Sequence, residues 1–528
     1  MTTGSEKPFF TTKQVMAVTI LLCTILFIAL RVRWIGHLLI WDEAMSLCTI
    51  RSFLSQGTDD FSNWFWRHPP LFSLLMMLLS PLKSGFAERV EGMAIAIGVI
   101  NLFLLFILNR KLLGTSVALW SIFFVAVQPG SVFFDVWIKT DSTVTTFGLL
   151  AILLLSMRQP LYSGLCLGLA MLSKETGIFY VMAVFLIWLC GGIGQRTRRD
   201  LAALTIIPLI TCGWWYFGVK IMVDHITFTA ACINPDTPWY MKIFGGSADF
   251  VKFAISSKSG WNGPWNYYFT NIPLITGFIG FFLASIGIIC TVFITMREKT
   301  TKDLVHSPKA IFSLWPLFLV VPSYTILSLL QSKVPWVVIC LSPAWATLQG
   351  IAMAGILCLL KKFSNGPSLG TLIAVLASGL VIAGSTVATW KLGYEQMLQH
   401  IDMGQWRGAH YSRNIAQQLN RIVSDRERIL ITSFHYWKGL GPGHACPVFA
   451  YYFKKKTEIL MRPHENTYDQ LESDIKKYRI DWTVLSPEPS RLEREILPGF
   501  INNHNLSPVI LEKAVIFKTT AVYRKEFK

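Results

Sequence analysis

Runs of apolar residues fill the first three quarters of this chain, and past Lys391 the pattern turns mixed and charged. Eleven runs are long enough, or nearly so, to cross a bilayer as helices: 14–33, 92–109, 115–134, 142–157, 161–173, 177–190, 201–222, 271–295, 311–330, 335–360 and 368–390. Several are short, and 161–173 is the weakest. A further run, 70–82, reaches only roughly 20 Å at ~1.5 Å per residue, against a hydrocarbon core of ~30 Å. It is expected to lie at the interface or to enter partway. The pattern predicts an α-helical polytopic membrane protein of about eleven spans plus a juxtamembrane helix, with residues 1–390 in the membrane domain and 391–528 in a small soluble one.

Within 391–528, β-like runs (Arg428 to Thr432, Trp482 to Leu485, Val509 to Phe517) alternate with helical ones (Tyr468 to Lys477, Arg491 to Ile496). That order suggests an α/β domain. It holds no Gly-x-Gly-x-x-Gly or other phosphate loop, so nucleotide binding is not expected there.

A hydrophobic content of 52% and a mean hydropathy of +0.47 exclude an ordinary soluble domain. The net charge of +17 sits in short clusters between apolar runs, a pattern that sets membrane orientation rather than nucleic-acid binding. With Lys7 and Lys13 cytoplasmic and 70–82 not crossing, the cytoplasmic connections carry Arg110-Lys111, Arg158, Arg196 to Arg199, Arg297 through Lys309, and Lys361-Lys362. Every one is basic, as the positive-inside rule asks. The expected location is the cell inner (plasma) membrane, with a first outer loop over 34–91 and an extracytoplasmic C-terminal domain. The first run ends in Arg31-Val32-Arg33-Trp34 rather than a small-residue cleavage site, so it reads as a retained anchor. Seven of the ten cysteines lie inside apolar runs as packing residues; Cys48, Cys232 and Cys446 fall in polar segments, where one disulfide is open.

The same parity sends the unusual polar sites to one face. Singly, an ionisable residue at a helix end marks a water interface as readily as a site; several together on one side of a membrane point to a function. Asp42-Glu43 follows the first span, and adjacent carboxylates suit acid/base work. Asp141 begins a span and is equally a candidate helix cap. Arg67 and His68 precede Pro69-Pro70 at the short helix, whose exposed N–H groups would attract a phosphate. Lys174 and Lys333 are cations at outer helix ends, able to snorkel to headgroups or to neutralise a leaving phosphate. Asp224-His225 closes the span 201–222 and offers a proton shuttle or a metal ligand pair. One carboxylate and one histidine do not define a metal site, so a divalent metal stays open as a cofactor.

In order and spacing over roughly residues 14–345, these sites resemble the dolichyl-phosphate-mannose protein mannosyltransferase superfamily, which includes the bacterial lipid A aminoarabinose transferases. The Gly168-Leu169-Ala170-x-Leu172-Ser173-Lys174 stretch and Ser332-Lys333-x-Pro335 belong to the set. The resemblance implies the GT-C fold and a polyprenyl-phosphate sugar donor, with Asp42 as catalytic carboxylate and Asp141 as the second acid. It implies that His68, Lys174 and Lys333 lie near the donor phosphate. His225 matches a metal-binding histidine of the aminoarabinose transferases, but the partner glutamate would fall near Arg67 or His68 here. The reading is an inverting transfer to a hydroxyl of a lipid, glycan or protein, among membrane lipids of the cell envelope. A multi-span transporter or lipid-linked glycan flippase is the alternative from another class, and a glycan polymerase or ligase of the same fold differs only in acceptor size.

Overall fold

The computed structural model describes residues 12–54, 69–79, 85–192, 197–219, 264–300, 308–329, 335–363, 367–431, 447–455, 459–461, 468–485, 502–503, 508–511 and 514–519. The chain divides into two compact units, one of residues 1–37 with 66–397 and the other of 38–65 with 398–528. The loop 34–91 is thus shared between them.

The first unit is helical: α1 (Thr12–Val32), with α2 (Trp41–Leu54) left to the second unit, then α3 (Leu71–Met77), α4 (Phe86–Leu112), α5 (Thr115–Val127), α6 (Pro129–Phe134), α7 (Asp141–Ser156), α8 (Pro160–Ser173), α9 (Ile178–Leu189) and α10 (Arg198–Gly213). After these come α11 (Tyr267–Thr270), α12 (Ile272–Thr276), α13 (Phe278–Thr300), α14 (Pro308–Ser313), α15 (Trp315–Leu329), a 3-10 helix over Pro335–Leu341, α16 (Ser342–Phe363) and α17 (Pro367–Lys391). Among the described residues five helices are long and apolar enough to cross a membrane, and a pair bent by 114° makes a sixth. Five shorter apolar helices of 10–17 residues account for the other expected runs. The expected run 115–134 is in fact broken, because Pro129 has no N–H to continue α5.

The break strands carbonyls that a membrane interior cannot hydrate, and two side chains satisfy them. Arg31, fully buried, donates to Val125 O (3.1 Å) and Ala126 O (3.0 Å), and Thr389 Oγ1 donates to Val127 O (2.6 Å). The same guanidinium pairs with Asp135 Oδ2 at 2.8 Å and lies over the Phe27 ring at 3.4 Å. Arg33 donates to the carbonyls of Thr389 (3.0 Å), Leu392 (3.1 Å) and Trp390, the last turn of α17. A cation there complements the negative end of the helix dipole. The carboxyl ends of α1 and α17 therefore meet.

Small residues set the closest helix contacts, as they do in membranes. A Cβ on Gly164 would overlap Ala203 O, and one on Gly168 would overlap the Thr211 side chain, so this Gly-x-x-x-Gly pair seats α8 against α10. Gly277, at φ +75°, makes the sharp bend between α12 and α13.

The second unit is a mixed sheet with helices. Its elements are α2, α18 (Tyr394–Ile422, from Leu398 onward), β1 (Ile429–Ile431), α19 (Pro447–Tyr452), β2 (Ile459–Met461), α20 (Tyr468–Tyr478), β3 (Trp482–Leu485), β4 (Pro508–Leu511) and β5 (Ala514–Lys518). The strand order is β2-β1-β3-β5-β4, with β1 parallel to β2 and β3, and β5 antiparallel to β3 and β4. The expected single run 509–517 is two paired strands, Leu511 opposite Ala514, divided by the charged Glu512-Lys513. The expected helix 491–496 lies outside the described residues. Against α19 packs α2: Arg51 lies over the Tyr451 ring at 4.6 Å, and Leu39 N donates to the Tyr452 hydroxyl at 3.3 Å. Asn420 of α18 locks α19 in turn, donating to Tyr452 O (2.8 Å) and accepting from Lys454 N (2.8 Å).

Candidate functional site

Asp141 is the first residue of α7, and Lys174 is the residue on which α8 ends. A carboxylate at a helix N-terminus and an ammonium at a C-terminus each meet the favourable end of a dipole. The two helices form an antiparallel pair, so these ends lie side by side, and Lys174 Nζ donates to both carboxylate oxygens of Asp141, Oδ2 at 2.7 Å and Oδ1 at 2.9 Å. The Asp141 side chain is 4% exposed and that of Lys174 is 18% exposed. The acid is therefore enclosed, while the lysine side chain keeps part of its surface exposed. Thr145 Oγ1 donates to Asp141 O at 3.0 Å and continues the turn beneath it.

Other elements gather at this end of the first unit. The loop before α7 buries Trp137 and Ile138 and holds the Lys139 ammonium 4.4 Å above the Trp137 ring. Leu71, which opens α3, packs against a buried cluster of Leu172 of α8, Cys212 of α10 and Trp215 just beyond it, as do Leu169 and Met171. Tyr216 donates to Met171 O at 3.0 Å. Tyr180 of α9 sets its ring against Gly148, where a Cβ would overlap it, and donates to Cys340 O in the 3-10 helix at 2.8 Å. The start of α7, the end of α8 and the flanks of α3, α10 and the 3-10 helix are thus bound into one end of the bundle.

Arg67, His68, Asp224, His225 and Lys333 lie outside the described residues. Asp42 and Glu43 belong to the second unit. Glu43 is fully buried, and its Oε2 accepts the Ile40 N–H at 3.1 Å, the backward half of a capping box at the start of α2. Asp42 is half-buried, and its carbonyl accepts from Ser46 Oγ at 2.9 Å. In the same unit, burial pushes the Tyr452 phenol up to about 12. Among the described residues no group of three or more His, Cys, Asp or Glu is arranged to hold a metal ion.

Sequence reasoning missed the buried pairs that brace this end. Arg31–Asp135 is one; the other is His37 Nδ1 with Glu91 Oε1 at 3.2 Å, where Glu91 Oε2 also accepts Gly36 N at 2.7 Å. Residues 104 apart, as Arg31 and Asp135 are, carry no local signal of contact.

The family profile of dolichyl-phosphate-mannose-protein mannosyltransferases matches residues 67–216, the segment that contains Asp141 and Lys174. No curated protein matches the chain in sequence. Among solved structures the chain is similar to ArnT from Cupriavidus metallidurans bound to undecaprenyl phosphate, at 14% identity and a TM-score of 0.61, over 96% of this chain and 98% of that one. It is also similar to the Archaeoglobus fulgidus oligosaccharyltransferase in the apo form, at 11% identity and a TM-score of 0.55, over 90% of this chain and 70% of that one. The same archaeal enzyme tethered to an acceptor peptide matches at 12% identity and a TM-score of 0.56, over 90% and 70% of the two chains. At such identities the likeness speaks to fold, and the profile match adds the sequence signature. Residues 67–216 thus carry the mannosyltransferase signature, and the chain as a whole has the GT-C fold of these glycosyltransferases.

Proposed function

We propose that this glycosyltransferase moves a sugar from a polyprenyl-phosphate carrier to a hydroxyl of a lipid, glycan or protein acceptor on the extracytoplasmic side. The observation that carries the reading is the Lys174–Asp141 pair at abutting helix ends, a fixed cation inside the segment matched by the mannosyltransferase profile. The likeness to ArnT bound to undecaprenyl phosphate supports the class of carrier.

In the proposed reaction Asp42 takes the proton of the acceptor hydroxyl as that oxygen bonds to the anomeric carbon. The bond from that carbon to the phosphate oxygen breaks, its electron pair leaves with polyprenyl phosphate, and the configuration inverts. Lys174, with Arg67, His68 and Lys333, neutralises the charge that develops on the departing phosphate. No step is routed through a metal; Asp224 and His225 are the side chains that would offer it ligands. The cytoplasmic basic connections support an extracytoplasmic site, because nucleotide sugars are made in the cytosol and a lipid carrier is needed beyond it.

The test uses detergent-purified protein, radiolabelled polyprenyl-phosphate sugars and extracted membrane acceptors. Label should pass to an acceptor with the native chain and not with a folded Asp42→Asn variant. Turnover retained by that variant would remove Asp42 from the mechanism, and no transfer from any lipid-phosphate sugar would reject the donor class.

A further inference from the structure

The geometry of the Lys174–Asp141 pair points to a division of labour within the proposed donor site: Asp141 is a positioning residue that aims the Lys174 ammonium at the lipid phosphate and takes no proton in the reaction. This inference rests on the donor class proposed above and deepens it.

An ammonium has three N–H donors and no acceptor. Two are committed to Asp141, at 2.7 Å and 2.9 Å, so the orientation of the third is set by the carboxylate. The side-chain exposures differ in the direction that aiming requires, 4% for Asp141 and 18% for Lys174. The lysine is therefore the more accessible partner to an incoming oxyanion. The backbone fixes both partners before any ligand arrives. Asp141 is held in the first turn of α7, and Lys174 stands in an extended conformation at φ −166°, ψ 155°, with its N–H bonded to Ala170 O. A lysine stem has four rotatable bonds and loses much rotamer freedom on ordering. A bidentate carboxylate removes that freedom in advance, so the phosphate contact forms without the ordering cost. A proton acceptor, by contrast, needs a lone pair that a substrate hydroxyl can reach, and the Asp141 side chain is 4% exposed with one site on each oxygen already taken by Lys174.

The sign of one measurement separates the roles. Removing a negative charge beside an anion site ordinarily strengthens anion binding. If Asp141 aims Lys174, Asp141→Asn instead weakens it, because a neutral amide leaves the ammonium to wander. The experiment titrates the full-length protein in detergent with undecaprenyl phosphate. The expected results are a Kd raised about three- to tenfold in Asp141→Asn, and more than tenfold in Lys174→Gln, where the charge-assisted contact itself is lost. Unchanged or tighter binding by Asp141→Asn overturns the inference.

Should Asp141→Asn fail to fold, Lys174→Arg decides. Its planar fork can pair with Asp141 and still present donors, so binding within about threefold of the native value is expected. Binding as weak as in Lys174→Gln overturns the inference. A native protein that does not bind undecaprenyl phosphate at all overturns the donor class as well, which distinguishes the two failures.

Discussion

Arg31 and Asp135, 104 residues apart, form a buried ion pair with Nη2 2.8 Å from Oδ2, and the same guanidinium satisfies the carbonyls stranded by the Pro129 break. Breaking a buried pair by removing one partner leaves an uncompensated charge and costs about 3–5 kcal/mol. Arg31→Met should lose that much stability, read as a fall in the detergent-solubilised melting temperature. Arg31→Lys keeps the charge but has three donors for the acceptors at Asp135, Val125, Ala126, Phe27 and Ser131, and should fall between the two. A native melting temperature in Arg31→Met would show that the pair does not brace the fold.

Glycines at two positions should respond oppositely to a methyl group. A Cβ on Gly164 meets the backbone oxygen of Ala203, which cannot yield as a flexible side chain can, so Gly164→Ala should cost about 1–3 kcal/mol by forcing α8 from α10. Gly355, inside α16, has nothing within 4 Å of a built Cβ, and Gly355→Ala should be neutral or gain up to about 1 kcal/mol of helix propensity. Thermal melts of the two variants check the contrast, and equal shifts would contradict it.

Glu43 and its neighbour should part company under isosteric substitution. Glu43→Gln keeps a carbonyl oxygen to accept the Ile40 N–H and should retain folding and most sugar transfer, whereas Glu43→Ala should cost about 1 kcal/mol in lost capping. Asp42→Asn should remain folded and inactive. Loss of transfer in Glu43→Gln, with its melting temperature intact, would assign Glu43 a chemical role beyond the cap.

Tyr452 should titrate late. A phenol ordinarily ionises near pH ~10, and burial, with a smaller push from the Glu43 carboxylate, raises this one to about 12 against the lowering effect of the Leu39 N–H bonded to it. Because the folded state holds the proton more tightly than the unfolded chain, the stability it contributes is fully present below pH ~10 and is lost as pH rises toward 12. Alkaline unfolding followed at the phenolate absorbance should show a late step in the native protein that Tyr452→Phe removes.

The helices were legible because long apolar runs have one structural solution in a bilayer. Every expected membrane run is helical over its described residues, whereas their orientation rests on the basic clusters alone. What stayed hidden was interruption and pairing. Pro129 stood in plain view, yet its consequence depended on an arginine nearly a hundred residues earlier to cap the freed carbonyls. Asp141 and Lys174 were each visible as polar residues at helix ends, but their bidentate bond arises only when α7 and α8 lie antiparallel. The bond from Glu43 to the Ile40 N–H was not legible, because a capping side chain and a catalytic one share the same residue type. In the second unit, three-residue strands such as β1 and β2 are too short to show alternation, and Ile459–Met461 passed unread.

The second unit draws its chain from two distant stretches, 38–65 and 398–528, and this sets a timetable for biogenesis. Ala44, Leu47 and Ile50 of α2 emerge early, but the α19 segment that packs against that helix is made about 400 residues later. At ~5–20 residues per second the wait is roughly 20–80 s, with a sticky apolar face bare throughout. A translocon-associated chaperone has that interval in which to act. A nascent chain halted before residue 398 could insert its spans and still hold Asp42 on an unfinished helix, so insertion and maturation are separable events in this enzyme.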